Sequence, residues 1–476
     1  MKTKFITKIS SFLLVFVLCI MALVGCTTAN LDLPSETAAV VGNGGLAVQK
    51  GEYLYFVNGY QSIKDMKSGD NKGGDEYSAI YRVKLNNNNE LTFDENGNLE
   101  NCDLIIDKVC GFEKTALYIF DDYIYYATPN TEKEVSDEVI SSNFELTDFY
   151  RAKLDGTGRT HIYKTSKASD DTKFAFYKAN GANDVYLALY DGTQLLLVNC
   201  GSKAVTTVCD SVSSIAMPNV SYYNSENNQI SVGASNIYYT RSAKEDETVS
   251  SGNFLCAVKI GDNTERVLAQ GHYTYTVKSA TDEALVFTKK SDNDLNANNY
   301  AISYAYNESG DVTLDAQNGG VQLDATAHDT VLLCTYEEGN FAGMVTKNTS
   351  NKLVYINRAT NTTEVLDEDT ELTPITIAGN YVYAYDSNNS IYQINYKTKA
   401  QKLLADASKT GDDAIKKPYL SAKKNYSVCG NYVYYFATYE GEKTGYYLNR
   451  VLTISQEEYT PELVGILQTE HLEVEE

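Results

Sequence analysis

Oxygen-bearing side chains fall at alternate positions in Asp292-Asn-Asp-Leu-Asn-Ala-Asn298, as at the start of a loop that wraps calcium, a hard cation that takes six to eight oxygens. An EF-hand is excluded, because Ala297 stands where the sharp turn needs Gly and Ser303 where a bidentate Glu belongs. Three carboxylate pairs, Asp121-Asp122, Asp170-Asp171 and Asp412-Asp413, suggest acid/base work only until geometry is considered. Glycosidase carboxylates face each other across a cleft at about 5 to 9.5 Å, whereas neighbours in sequence belong to solvated turns. The four histidines, His161, His272, His328 and His471, form no HExxH pair, and no Gly-x-Ser-x-Gly elbow occurs. No phosphate-cradling glycine loop opens a helix, and no Cys/His spacing suits zinc. The residues therefore nominate no catalytic group, metal or cofactor.

The first 25 residues are read as a targeting device. Lys2, Lys4 and Lys8 make a basic start, and residues 12–24 are an apolar run too short, at 1.5 Å per residue, to span roughly 30 Å of hydrocarbon. The run ends in Leu23-Val24-Gly25-Cys26, which resembles the lipobox of bacterial lipoproteins. The resemblance implies that Cys26 is diacylated on sulfur and becomes the N-terminus, giving a lipid-anchored protein on the extracytoplasmic face of a bacterial cell membrane. Two acyl chains at one residue anchor stably. Residues 26–43 are then a flexible tether, 44–467 a single folded body and 468–476 an acidic tail.

Lys plus Arg number 40 against 63 Asp plus Glu, a formal charge of -23 over 476 residues, and the signal segment carries only lysines. Such a body is repelled by anionic headgroups and does not fit nucleic acid, whose affinity rests on Lys and Arg displacing counterions. A monomer standing off the membrane is expected. Beyond Cys19 and Cys26 the seven cysteines are Cys102, Cys110, Cys200, Cys209, Cys256, Cys334 and Cys429; an odd count closes no disulfide framework. With a hairpin turn at Cys200-Gly201-Ser202-Lys203, Cys209 faces about Gln194 and not Cys200, so these thiols read mostly as buried strand residues.

What positions everything else is repetition. Gly51-Glu-Tyr-Leu-Tyr-Phe56, Asp121-Asp-Tyr-Ile-Tyr-Tyr126, Gly379-Asn-Tyr-Val-Tyr-Ala384 and Gly430-Asn-Tyr-Val-Tyr-Tyr435 are one motif, with weaker copies between them. Their central aliphatics are Leu54, Ile124, Val185, Ile237, Leu285, Val331, Val382 and Val433. A period near 50 with strand patterning belongs to propeller blades, small twisted sheets that cannot bury both faces alone. The expected fold is all-β, a β-propeller of four-stranded antiparallel blades, eight by this count with six or seven as alternatives. In the segment 373–406 the strands are expected at 374–378, 381–385, 391–396 and 400–404.

The Gly-Asn-Tyr-Val-Tyr-Tyr strand and the turn Leu154-Asp-Gly-Thr-Gly158 resemble those of bacterial lipoproteins carrying a β-propeller domain of unknown function, related to the six-bladed YWTD propellers of low-density-lipoprotein-receptor type. That resemblance spans about 420 residues and implies fold and envelope location, with no established catalytic chemistry. The chain departs from it in having no Trp and in its eight units.

Strand tyrosines, among 39 in all, are expected to pack between blades, large rings on one face and small aliphatics on the other. Long connections between second and third strands, at 59–77, 129–147, 241–253, 289–299 and 337–350, decorate one face. Tyr60, Tyr77, Tyr336 and Tyr439 are the candidates for a recognition rim there, because an amphipathic ring gives contact area at low entropy cost. Two functions follow: a scaffold binding a protein or glycan, or a propeller hydrolase or lyase acting on extracellular polysaccharide.

Overall fold

The computed structural model describes residues 31–466 apart from loop segments, the longest being 292–300, 307–312, 315–320, 323–330, 335–340 and 407–425. Its described residues form eight antiparallel sheets of four or five strands, taken up one after another along the chain, and two small two-stranded ribbons. The fold is an all-β propeller.

The seventh sheet shows how local sequence builds a unit. Its strands are Thr373–Ala378, Tyr381–Tyr385, Ile391–Asn395 and Gln401–Ala405, as the sequence predicts to within a residue or two. Side-chain oxygens close the turns: Asp386 Oδ1 accepts from the amides of Asn388 and Ser390, and Asn395 Oδ1 from those of Lys397 and Thr398. These are Asx turns, which explain why Asp and Asn punctuate the strands. The two faces of Tyr381–Tyr385 pack in opposite directions. Tyr383 joins Val433, Tyr435 and Val451 of the eighth sheet, while Val382 and Ala384 join Leu353 and Tyr355 of the sixth. Large-on-small alternation thus fills the wedge between neighbouring sheets.

Seven of the eight marker aliphatics lie in second strands, and Leu54, Ile124, Val185, Ile237, Leu285, Val382 and Val433 are all 5% exposed or less. The exception corrects the expectation for the sixth unit. Val331–Cys334 is its first strand, and Phe341–Lys347, inside the connection expected at 337–350, is its second. The Val-Leu-Leu run imitates the marker while the true second strand, Phe-Ala-Gly-Met-Val-Thr-Lys, carries no Tyr-aliphatic-Tyr signature. Cys209 pairs with Leu195 across a bulge, close to the expected Gln194, and Cys200 and Cys209 are free thiols.

The folded body starts earlier than residue 44. Val40–Val41 pairs with Gln49 and Lys50 as a short strand added inside the first sheet's four, whose first strand is Ala47–Lys50, and buried Asn43 exchanges hydrogen bonds with the backbone of Ile119, so residues 40–43 are not tether.

Between the first and eighth sheets the chain closes on itself. Gly59–Tyr60, from the second-to-third connection of the first sheet, pairs with Tyr446 and Tyr447 on the eighth sheet's third strand, beside that sheet's own short outer strand, Glu462–Leu463. Gly111 lies so near this added strand that a Cβ there would sit 1.7 Å from the Gly59 carbonyl oxygen. Two distant stretches of chain therefore share one outer edge.

Candidate functional site

The innermost strands of six sheets, the turn 42–45 of the first and the segments beside them line a cavity of about 510 Å³. That volume lies within the ordinary range of small-ligand sites. At one end stand Lys114, Thr172 and Lys173, ahead of or beginning the inner strands of the second and third sheets. This end faces the long second-to-third connections. Phe174, Ile215, Ile377 and Val428 give the cavity apolar walls, each retaining 7–8% exposure.

The other end is crossed by a strap. Between the first and second strands of the fourth sheet, residues 217–235 run out as the ribbon Ser221–Tyr223 and Gln229–Ser231. The Gln229 side chain donates to the Val428 carbonyl at 2.8 Å and accepts from the Gly430 amide at 2.8 Å. Tyr223 donates to the Gly430 carbonyl, and Ser231 to that of Val40. A ribbon from the fourth sheet thus ends on the eighth and first, at the far side of the series, and floors the cavity. The face opposite the long second-to-third connections thus carries this long connection, as well as residues 85–101 between Ile80–Lys84 and Cys102–Ile106 of the first sheet. The strap's length is the signal that sequence reasoning passed over.

Tyr118, Tyr223 and Tyr426 line the cavity, and burial pushes all three phenols well above their ordinary range. They stay neutral at physiological pH and supply rings and hydroxyls, not bases.

The structure places the sequence-nominated residues elsewhere. Tyr60 and Tyr77, expected on an exposed rim, are 3% and 1% exposed. Both are consumed by ring closure: Tyr60 packs against Phe436 and Tyr446, and the Tyr77 hydroxyl donates to the Tyr446 carbonyl at 2.9 Å while accepting from its amide. The added strand draws these rings inward. Tyr439 ends the strand Tyr432–Tyr439, opposite Gly445, and its side chain lies outside the described residues, as do Tyr336, Cys26 and the Asp292–Asn298 loop. Among the described residues no group of three His, Cys, Asp or Glu side chains could hold a metal.

Two carboxylates do meet on the fourth sheet. Glu247 and Glu265 both bind Arg241, whose side chain is 3% exposed, through its NH2 nitrogen at 2.7 Å. Hydrogen bonding from Arg241 holds Glu247 down at about 2. Burial would raise Glu265, but the hydrogen bonds of Arg241, Tyr239 and Lys244 outweigh it and hold the group below its usual value. This cluster ties the connection 243–252 to the outer strand Glu265–Ala269 and is no part of the cavity lining. His161 meets Asp148 at 2.8 Å on the second sheet's outer strands, also away from the cavity.

Neither a family model nor a curated protein matches the chain. Among solved structures it is similar to a Mycobacterium tuberculosis puromycin-hydrolysing peptidase, at 11% identity and a TM-score of 0.41 over 73% of this chain and 52% of that one. It is also similar to the β-propeller domain of the trilobed protease from Pyrococcus furiosus, at 10% identity and a TM-score of 0.39 over 79% of this chain and all of that one. TolB from Acinetobacter baumannii matches at 11% identity and a TM-score of 0.30, over 72% and 83%. The chain spans about half the length of the mycobacterial peptidase, and these likenesses concern the propeller fold alone.

Proposed function

We propose that the protein is a lipid-anchored binding protein on the extracytoplasmic face of a bacterial membrane, and that a protein or glycan ligand places a terminal group in the axial cavity. The observation that carries this reading is the cavity itself, walled by seven sheets and floored by the strap, with its other end on the side of the long connections. Concave, largely apolar sites with a few convergent polar groups are where ligands seat. The lipobox-like Leu23-Val24-Gly25-Cys26 supports the anchor, and the excess of 63 acidic over 40 basic residues supports a body held clear of anionic lipid.

A polysaccharide hydrolase or lyase would need two carboxylates facing a cleft with separated proton affinities. The described pair that does come together is locked as two anions on Arg241. The test is to screen residues 27–476 against envelope proteins and glycans while assaying for cleavage. Saturable binding without turnover is expected, and turnover of any polysaccharide would overturn the binding role. Cys26→Ser should release or misprocess the protein; unchanged membrane retention would refute the anchor.

A further inference from the structure

A second hollow, of about 460 Å³, opens between the seventh and eighth sheets, again within the range of small-ligand sites. Thr398, Ala400, Gly430 and Asn431 place it at the turns on the strap's face, and Tyr223 of the strap stands at its inner end, lining this groove and the axial cavity alike. Its floor is made of satisfied groups. Gln393, 7% exposed, donates to the Tyr383 hydroxyl at 2.9 Å and to the Thr453 carbonyl at 2.7 Å, tying the two sheets together. The backbone of the eighth-sheet wall is spent as well. Gln229 and Tyr223 hold the Gly430 amide and carbonyl, and the Asn431 carbonyl accepts from the Thr453 amide and hydroxyl. This wall offers no open strand edge to an extended peptide, which would bind through backbone groups.

What is left for a ligand is side chain. Tyr381 and Asn395 stand opposite each other at the ends of the seventh sheet's second and third strands. The half-buried Tyr381 ring rests on the core at its margin and, among the described residues, makes no ring contact or hydrogen bond. Asn395 uses its oxygen to close an Asx turn, which leaves its amide nitrogen. The exposed Asn431 side chain also has no partner among the described residues. The neighbouring wedge shows the alternative arrangement. Between the sixth and seventh sheets Tyr396 stacks flat on Tyr355, with 4.1 Å between centroids and 6° between planes, so the protein itself supplies there the second flat surface that Tyr381 lacks. The described lining carries no carboxylate and one cation, Lys402, whose ammonium lies 4.3 Å from the centre of the Tyr459 ring.

We propose that this groove binds a neutral glycan, with the C–H face of one pyranose on Tyr381 and its hydroxyl or acetamido groups bonded to the carboxamides of Asn395 and Asn431. A sugar ring is apolar on its faces and polar at its rim, which matches a phenol ring set beside amides that both donate and accept. Such a ligand makes no demand on the charge of the groove. β-1,4-Linked chains of glucose type fit best, because their ring substituents are all equatorial and expose the flattest face. The site is additional to the axial cavity and does not depend on what that cavity takes.

The test is calorimetry on the full-length protein in lipid nanodiscs, with empty nanodiscs as control and cellotetraose and chitotetraose as probes, the first bearing hydroxyls and the second acetamido groups. Saturable 1:1 binding of at least one tetramer is expected. Tyr381→Ala should weaken it at least tenfold, whereas Tyr381→Phe, which keeps the ring, should stay within threefold of the unaltered protein. Asn431→Trp should fill the groove and abolish binding while leaving the thermal unfolding temperature unchanged, since the side chain it replaces is exposed and bonds nothing among the described residues. Asn431→Ala, which removes the amide and fills nothing, should weaken binding severalfold. Failure of both tetramers to bind, binding that survives Asn431→Trp, or a Tyr381→Phe protein as impaired as Tyr381→Ala overturns the proposal.

Discussion

The contact between the second and third sheets and the contact between the first and eighth are built from different chemistry. In the former, Phe149 meets Phe174 at 5.0 Å and Phe176 at 6.2 Å, while Tyr118 and Tyr125 lie at 5.4 and 5.3 Å from Phe176. In the latter, the ring contacts of Tyr60 with Phe436 and Tyr446 and of Tyr77 with Tyr447 are joined by directional bonds. The Leu46 amide donates to Ser427 Oγ, Asn58 reaches the Ile466 backbone, and Gly59–Tyr60 pairs as a strand. The difference follows chain separation. Phe149 and Phe174 are about 25 residues apart, whereas Asn58 and Ile466 are 408 apart, and closing the longer loop costs about 2.5 kcal/mol more. Ring packing serves between sheets that are neighbours in sequence. The distant pair has no short turn to set its register, and the side-chain bonds of Asn58 to Ile466 hold the two stretches in one alignment.

Three substitutions bear on this contrast, in order of expected effect. Phe176→Ala removes a ring that is 0% exposed and should lower global stability by about 4 kcal/mol in urea unfolding, with no selective opening of the first–eighth contact. If hydrogen exchange instead shows local opening there, the two contacts are energetically one. Asn58→Ala deletes bonds to the Tyr77 and Ile466 carbonyls and the Ile466 amide. It should cost about 3 kcal/mol and speed exchange at Tyr446 and Tyr447 ahead of the rest. Uniform exchange would show that closure has no local stability of its own. Tyr77→Phe keeps the ring against Tyr447 and removes only the hydroxyl. Its cost should be about 1.5 kcal/mol, and a cost as large as that of Asn58→Ala would shift the weight of closure onto the tyrosine.

The same contrast explains what the sequence revealed. Strand positions in the seventh and eighth units are readable because Tyr-aliphatic-Tyr alternation and Asx turns are local, and each is satisfied within its own sheet. Val331 misled because an apolar run has no strand number until its pairing partner, Met344, is known. Tyr60 and Tyr77 were legible as loop tyrosines, but burying them depends on Tyr446 and Tyr447, some 370 residues away. The cavity was less legible still. Lys114, Lys173 and Lys278 share no motif or spacing, and only the succession of sheets around one axis brings them to a common wall.

The strap also has a mechanical consequence. Val40, where the folded body begins, is held by its pairing with Lys50 and by the Ser231 hydroxyl on its carbonyl. A pull applied upstream of Val40 is thereby divided between the first sheet and a ribbon rooted in the fourth. Part of a tug that would peel a terminal strand passes through that bond into the ribbon, so the floor of the cavity shares the load.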